Sequence, residues 1–217
     1  MTKTRMTISR RDVLALIGTA AVTLPMSRSS WAIAPTDIGA FIDQLGVRAI
    51  EALTGTDIPQ EIREQRFRTL FEEFFDIPGI GKFVLARYWR VATSEEQAEF
   101  LDLFVALIVR TYAQRFTEFS GEKFKIQDIA VESAAGYHTA HSVVERPGDE
   151  SIRVDWLVRE TDGVLKIEDV KVEGLSMAQT YRSEFASVIQ GSGGKVAGLL
   201  DALRNKTSEL GEQSAAQ

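Results

Sequence analysis

The stretch from Ala98 to Phe119 constrains the fold more than any other part of the chain. At 3.6 residues per turn its apolar residues cover most of a helix surface, and its polar residues keep to one narrow stripe. Other elements must therefore cover this helix on most sides. Asp102, Arg110 and Arg115 interrupt it, so it lacks the run of about 20 apolar residues that a membrane-spanning helix needs. The pattern fits an ordinary core helix or one wall of an internal apolar cavity, and periodicity does not separate the two.

The first 32 residues are predicted to be an export signal and not part of the fold. Four basic residues precede an uncharged, mostly apolar run over 13–26, and residues 30–34 offer small side chains to a signal peptidase. Residues 9–14, SRRDVL, resemble the twin-arginine export motif, with a general secretory signal as the alternative. We expect cleavage near residues 32–34 and release into a bacterial periplasm. A domain over 33–206 and a polar, disordered tail over 207–217 would remain.

Charge and cysteine content exclude several classes of function. Removing residues 1–32 takes away five of the 25 Lys and Arg residues and one of the 31 acidic residues, which leaves a net charge of -10. Such a protein has no electrostatic reason to bind nucleic acid, or to adhere to an anionic bilayer through a polybasic patch. The chain contains no cysteine, so disulfides and thiolate chemistry are excluded.

Helices are predicted on both sides of the central one. Thr93 or Ser94 can cap the start of the central helix, and Glu96 or Gln97 completes a capping-box pattern. The other helices are predicted over 35–53, 59–75, about 80–90, 176–190 and 196–203. The buried faces of the earlier ones are rich in phenylalanine.

Between these helices the pattern changes to that of strands, predicted over 125–132, 137–145, 151–160 and 164–172. The third strand alternates most clearly, with Val154 and Trp156 on its apolar face and Asp155 on the other. Short turns such as Asp162-Gly163 indicate an antiparallel meander. The predicted fold is therefore α+β: a four-stranded antiparallel sheet covered on one face by helices, with an apolar cavity between the layers.

Candidate catalytic and metal-binding patterns are weak. His138 and His141 are three apart on a predicted strand, so they point to opposite faces and cannot chelate one ion without a bulge. Asp155 faces away from the apolar side, which counts against a buried general base. The glycine-rich segment 191–194 could cradle a phosphate, but it follows a helix and lacks the lysine of a P-loop, so a flexible break is favoured. We predict no enzyme activity, no metal and no cofactor.

Several arginines lie beside aromatic residues, in Arg87-Tyr88-Trp89-Arg90 and in Tyr181-Arg182. Aromatic rings in a core with guanidinium groups at a cavity mouth would suit an amphiphile with an anionic head. Ordinary surface ion pairs are the alternative for each arginine. If the arginines do line a cavity mouth, Arg87, Arg90 and Arg182 are the residues predicted to contact the head group.

From about Pro35 to Lys206 the chain resembles the MlaC family of periplasmic lipid-shuttle proteins, also known as toluene-tolerance proteins. The resemblance rests on the order and spacing of Arg87-Tyr88-Trp89-Arg90, Phe100, Phe104, Val109-Arg110-Thr111-Tyr112, Ser120-Gly121-Glu122, Val172-Glu173-Gly174-Leu175-Ser176 and Tyr181-Arg182-Ser183-Glu184-Phe185. It implies a carrier that holds phospholipid acyl chains between helices and sheet. Its partners would be an outer-membrane lipoprotein complex and an inner-membrane ABC transporter with an MCE-domain subunit, which together maintain outer-membrane lipid asymmetry. A hopanoid-associated branch of the family and a cystatin/NTF2-like enzyme on a small apolar substrate are the alternatives.

A carrier of this kind needs a dry space large enough for hydrocarbon tails. The predicted lining residues are Phe71, Phe75, Val84, Tyr88, Phe104, Ile108, Tyr112, Val154, Trp156, Tyr181, Phe185 and Val188. Each could equally be a plain core residue. The cargo would be a bound phospholipid, held without tight head-group chemistry that would hinder release.

Overall fold

The computed structural model describes residues 35–55, 57–119, 121–131 and 136–215. The helices are α1 (Pro35–Leu53), α2 (Gln60–Phe74), α3 (Ile77–Leu85), α4 (Ser94–Tyr112), α5 (Met177–Gly191) and α6 (Val196–Ala215), with 3-10 segments at Ala86–Arg90 and Ala113–Glu118. The strands are β1 (Lys123–Val131), β2 (Tyr137–Glu145), β3 (Ile152–Thr161), β4 (Val164–Val172) and β5 (Leu175–Ser176). The predicted order of helices, sheet and helices is confirmed.

The central helix α4 begins where its sequence predicts. Thr93 Oγ1 accepts from the backbone N–H of Glu96, and the Glu96 carboxylate accepts from the backbone N–H of Thr93, which completes the capping box. Phe100 is fully buried, as expected for a helix covered on most sides. The α-helix ends at Tyr112, and a tighter 3-10 segment replaces the predicted last turns up to Phe119.

The sheet is an antiparallel meander in the order β1-β2-β3-β4-β5. It has five strands where four were predicted. The fifth forms because Glu173 and Gly174 adopt φ values of 50° and 81°, which fold the chain back on β4 for two residues before α5 begins. Ser176 ends this strand and caps α5 by accepting from the N–H of Gln179 at 3.0 Å.

The two faces of the sheet differ as the alternation predicts. Ala140, Val158 and Ile167 on the inward face are fully buried against helices. On the outward face, His141 Nδ1 lies 2.8 Å from Asp155 Oδ1, and Arg159 pairs with Glu168 at 3.3 Å. The sheet therefore has one face packed on the core and one polar face.

The core consists of two groups of buried side chains. The helical cluster comprises Phe71, Ile80, Val84, Leu85, Tyr88, Phe100, Phe104, Val105, Leu107, Ile108, Val109, Ala178, Phe185, Ile189, Val196, Leu199, Leu200 and Leu203. The sheet cluster comprises Ile38, Ile42, Leu45, Leu53, Leu70, Phe74, Ala140, Val158 and Ile167. Phe67 of α2 and Phe75, the residue that follows α2, pack against both clusters, and we call these two side chains the seam.

The last helix is longer than predicted. Residues 207–217 were expected to be a disordered tail, but α6 continues to Ala215. Thr207, the first residue of the predicted tail, is buried, and its hydroxyl donates to the carbonyl of Leu203 at 2.8 Å. Arg110 of α4 donates to the carbonyl of Thr207, and Leu210 packs against the helical cluster. The prediction of a disordered tail was therefore wrong for the described residues up to 215.

Over the described ranges, no helix combines the length and apolar character needed to cross a membrane. The export signal predicted over 1–32 lies outside the described residues.

Candidate functional site

Ten of the twelve predicted lining residues lie together among the helices. Phe71, Val84, Tyr88, Phe104, Ile108 and Phe185 are members of the helical cluster, and Phe75, Tyr112, Tyr181 and Val188 pack against it. They come from α2, α3, α4, α5 and the 3-10 segment after α3. The structure thus brings most of the predicted residues into one apolar group.

The other two lining residues lie on β3. Trp156 packs against the sheet cluster, stands edge-on to Phe124 with ring centroids 6.1 Å apart, and donates from Nε1 to Ser142 Oγ at 2.9 Å. Val154 is buried opposite Ser142 on the neighbouring strand. The predicted set is therefore divided between the two clusters, which Phe67 and Phe75 join.

Two cavities on the described part of the molecule lie outside the predicted site. The first, about 330 Å³, is lined by Gln127, His141, Ser142, Arg153, Asp155 and Gly174. The second, about 340 Å³, lies between α1 and β1 and is lined by Asp43, Gly46, Val47, Ile50 and residues 122–125. None of the twelve predicted residues lines either of these two cavities.

Several aromatic rings contact one another within and around the helical cluster. Phe71 and Phe75 stand 4.7 Å apart between ring centroids, and Phe67 meets the edge of Phe116 at 6.1 Å. On the other side of the helical cluster, Phe104 contacts Tyr181 and Phe185 edge-on at 5.7 and 6.2 Å. Offset and edge-to-face contacts of this kind are the arrangements that aromatic pairs favour, and each stabilises the apolar cluster.

A pair of hydroxyl groups interrupts this apolar surface. Tyr112 Oη and Tyr181 Oη lie 3.4 Å apart, one at the end of α4 and the other in α5. Burial, followed by the hydrogen bond with Tyr112, raises the pKa of Tyr181 above its ordinary value of 10. Tyr181 therefore stays a neutral phenol, able to donate a hydrogen bond.

The three predicted head-group arginines lie near the helical cluster but contact different partners. Arg87 Nη2 donates to Tyr88 Oη at 2.7 Å, and its guanidinium lies 4.8 Å from the centre of the same ring. The Arg182 guanidinium lies 4.9 Å from the ring of Phe83, which is 44% exposed. Arg90 ends the 3-10 segment that begins at Ala86. Arg87 and Arg182 therefore each lie over an aromatic ring.

Phe67 contacts both clusters but is not among the predicted lining residues. The sequence feature that could have identified it is the spacing of four that joins Phe67, Phe71 and Phe75 along the predicted helix over 59–75. A stripe of three rings on one helix face indicates a continuous aromatic surface, and only the packing of the other elements shows that two clusters share it.

The two histidines do not form a metal site. His141 pairs with Asp155, and His138 lies on the other face of β2, opposite Val158. In the part of the chain that the structure describes, no group of three or more His, Cys, Asp or Glu residues is placed to hold a metal ion. The glycine-rich segment 191–194 closes α5, with the N–H of Gly194 donating to the carbonyl of Ile189 at 2.8 Å.

Comparison with known proteins agrees with the resemblance seen in the sequence. No curated protein matches the chain. A solved structure of the phospholipid-binding protein from Ralstonia solanacearum, in complex with a phospholipid, shares its fold with a TM-score of 0.70 at 23% sequence identity. The match covers 79% of this chain and 97% of that one. The model of the family described as MlaC protein matches residues 48–205, so the chain belongs to the MlaC family.

Proposed function

We propose that this protein is a carrier that binds a phospholipid and shields its acyl chains from water. Family membership supports the proposal, as does the fold shared with a protein whose structure contains a phospholipid. The observation on this chain that carries it is the seam. Phe67 and Phe75 join two apolar clusters at the boundary between helices and sheet, where tails could separate them.

The energetics suit a carrier. Each acyl CH₂ exposed to water costs about 0.8 kcal/mol, so a two-chain lipid cannot cross an aqueous compartment unshielded at a useful rate. The carrier need only match the bilayer as an apolar environment. The rings and aliphatic side chains of the two clusters provide such an environment, and few polar contacts are needed to hold the cargo.

Because Phe67 and Phe75 contact both clusters, lipid binding would be coupled to opening of the seam. The tails would displace the seam rings and separate the helical cluster from the sheet cluster while each keeps its internal packing. Phe75 also forms an isolated bridge with Ile167 of β4, so movement of the end of α2 would be transmitted directly to the sheet. The twelve predicted lining residues would then face the tails from both sides.

The head group would remain in water beside basic residues. Arg87, Arg90 and Arg182 are the proposed contacts, since a planar guanidinium binds phosphate and also stacks on aromatic rings. The contacts of Arg87 with Tyr88 and of Arg182 with Phe83 support this assignment. Loose, solvated contacts of this kind would permit release.

The cellular role proposed here follows from the family. The mature protein would work in the periplasm and carry phospholipid between an outer-membrane lipoprotein complex and an inner-membrane ABC transporter with an MCE-domain subunit. It would act as a binding protein without catalysis. Its acidic net charge would make protein docking, and not adhesion to anionic lipid, the route to each membrane.

Native mass spectrometry of the protein purified from its host would test the proposal. We expect one glycerophospholipid per chain, identified after solvent extraction. Reproducibly empty protein that also takes up no phospholipid from vesicles would refute it. Extraction of a hopanoid in place of a phospholipid would assign the protein to the other branch of the family.

Two substitutions on β3 provide a matched test of the site. Val154→Asp and Trp156→Arg place a charge on the inward face of the sheet, which should abolish lipid retention because an unpaired charge is costly beside hydrocarbon. Val164→Asp is the control, since Val164 is 55% exposed at the start of β4. Retention by the β3 variants equal to that of the control would place Val154 and Trp156 outside the lipid site.

A further inference from the structure

The four tyrosines of the chain have different hydrogen-bond environments. Tyr88 Oη accepts from Arg87 at 2.7 Å, and Tyr137 Oη donates to the Glu168 carboxylate at 3.1 Å. Among the described residues, the hydroxyls of Tyr112 and Tyr181 hydrogen-bond only with each other, at 3.4 Å. This separation is long for a contact between two hydroxyl oxygens, which usually lie 2.5–3.0 Å apart. The pair is therefore weakly bonded where the other two tyrosines have charged partners.

The Tyr112–Tyr181 pair has one more hydroxyl proton than its own hydrogen bond can use. Two phenol groups carry two protons, and a contact between them uses one. The second proton has no acceptor among the residues that the structure describes. Both side chains are half-buried and lie against the helical cluster, where a hydroxyl without an acceptor is unfavourable. An acceptor brought by a ligand would satisfy it.

The surroundings indicate which acceptor fits. On one side the ring of Tyr181 contacts the rings of Phe104 and Phe185 at 5.7 and 5.6 Å, within the apolar cluster. On the other side the guanidinium of Arg115, an exposed residue, lies 6.0 Å from the ring of Tyr112. The hydroxyl pair thus lies between an apolar region and a cation. A phospholipid has the same order of groups: acyl chains, then ester carbonyls that only accept hydrogen bonds, then an anionic phosphate.

We propose that Tyr112 and Tyr181 form the ester-binding element of the lipid site: one hydroxyl donates to an acyl ester carbonyl, with the tails on the apolar side of the pair and with Arg115 joining Arg87, Arg90 and Arg182 among the basic residues near the phosphate. This inference rests on the proposed phospholipid cargo and adds a prediction of which lipids the protein prefers. The protein should prefer lipids with ester linkages over lipids with ether linkages, since an ether lacks the carbonyl acceptor. Burial keeps Tyr181 neutral, so the preference should not change between pH 6 and 9.

The experiment is a competition between two lipids that differ only in this linkage. Protein freed of lipid is incubated with vesicles of equal parts dipalmitoyl phosphatidylcholine and its dihexadecyl ether analogue, and bound lipid is quantified by mass spectrometry. We expect wild type to favour the ester about fivefold, the factor that corresponds to one hydrogen bond of about 1 kcal/mol. Tyr112→Phe and Tyr181→Phe should each reduce that ratio toward one.

Tyr137 supplies the control. Tyr137→Phe removes a hydroxyl that already donates to the Glu168 carboxylate, outside the proposed lipid site, so it should keep the wild-type ratio. The phenylalanine variants retain the ring contacts, and thermal unfolding checks that each is folded. Equal loading of both lipids by wild type, or an unchanged ratio in Tyr112→Phe and Tyr181→Phe, would overturn the proposal while leaving phospholipid carriage intact. Wild type that loads neither lipid would refute the carrier function itself.

Discussion

If lipid binding opens the seam, removing a seam ring should weaken the empty protein more than the loaded one. Phe67→Ala deletes a half-buried ring that lies 6.4 Å from Phe71 and 6.1 Å from Phe116 between centroids. A fully buried Phe→Ala change costs about 3–5 kcal/mol, and about 2 kcal/mol is reasonable for this half-buried ring. For a domain of this size, that lowers the melting temperature of the empty protein by about 4–8 °C. In the loaded protein, the tails would fill the vacated space and the loss should be at most half as large.

The assay is calorimetry of delipidated and phospholipid-loaded samples of the same variant. Phe100→Ala is the control, because Phe100 is fully buried in the helical cluster, away from the seam. It should destabilise the empty and loaded forms equally. Equal losses in both forms of Phe67→Ala would show that the seam does not open, and the tails would then have to lie elsewhere.

Three smaller effects follow from individual contacts. Thr93→Ala removes the capping box of α4 and should cost about 1 kcal/mol in thermal unfolding, without changing lipid loading. The Arg48 guanidinium, through its hydrogen bond, lowers the pKa of Glu73 below its usual 4.5. The ion pair therefore stabilises the fold fully above the pKa of glutamate in the unfolded chain, and this stabilisation is lost as pH falls through the lower pKa of Glu73 in the folded protein. Glu73→Gln should thus make the free energy of unfolding fall slightly less steeply at acidic pH. Truncation after Lys206 removes Thr207 and should lower the melting temperature measurably, whereas a disordered tail would have no effect.

The fold could be predicted well because several independent local signals agreed. The capping box at Thr93, the turn at Asp162-Gly163 and the alternation of β3 are set by neighbouring residues, and each element forms where its pattern lies. Local signals failed where a distant contact decided the outcome. The end of α6 is an example, since Arg110 of α4 and the packing of Leu210 hold a segment whose composition suggested disorder.

The division of the candidate site could not be predicted in the same way. The sequence places Val154, Trp156 and Phe104 among apolar residues, but their assignment to different clusters depends on how the helical layer lies on the sheet. Phe67 was missed for the same reason, since contact with two clusters is a property of the packing and not of its own helix. The tyrosine hydroxyls are likewise visible as residues in the sequence, whereas their missing acceptor becomes visible only once their partners are known.

A boundary closed by the seam rings is what the energetics of the proposed carrier would favour in its empty state. A dry cavity of about 500 Å³, within the usual range for ligand sites, would cost about 12 kcal/mol at about 24 cal/mol per Å³. That cost equals the whole stability of a typical domain, about 5–15 kcal/mol, so an empty protein with a permanent dry slot would barely stay folded. A carrier that alternates between empty and loaded states must therefore close when it releases its cargo. The same residues would then form the core of the empty protein and the lining of the loaded one, which is why periodicity cannot distinguish a core helix from a cavity wall. A larger loss of melting temperature in empty than in loaded Phe67→Ala protein would make that distinction.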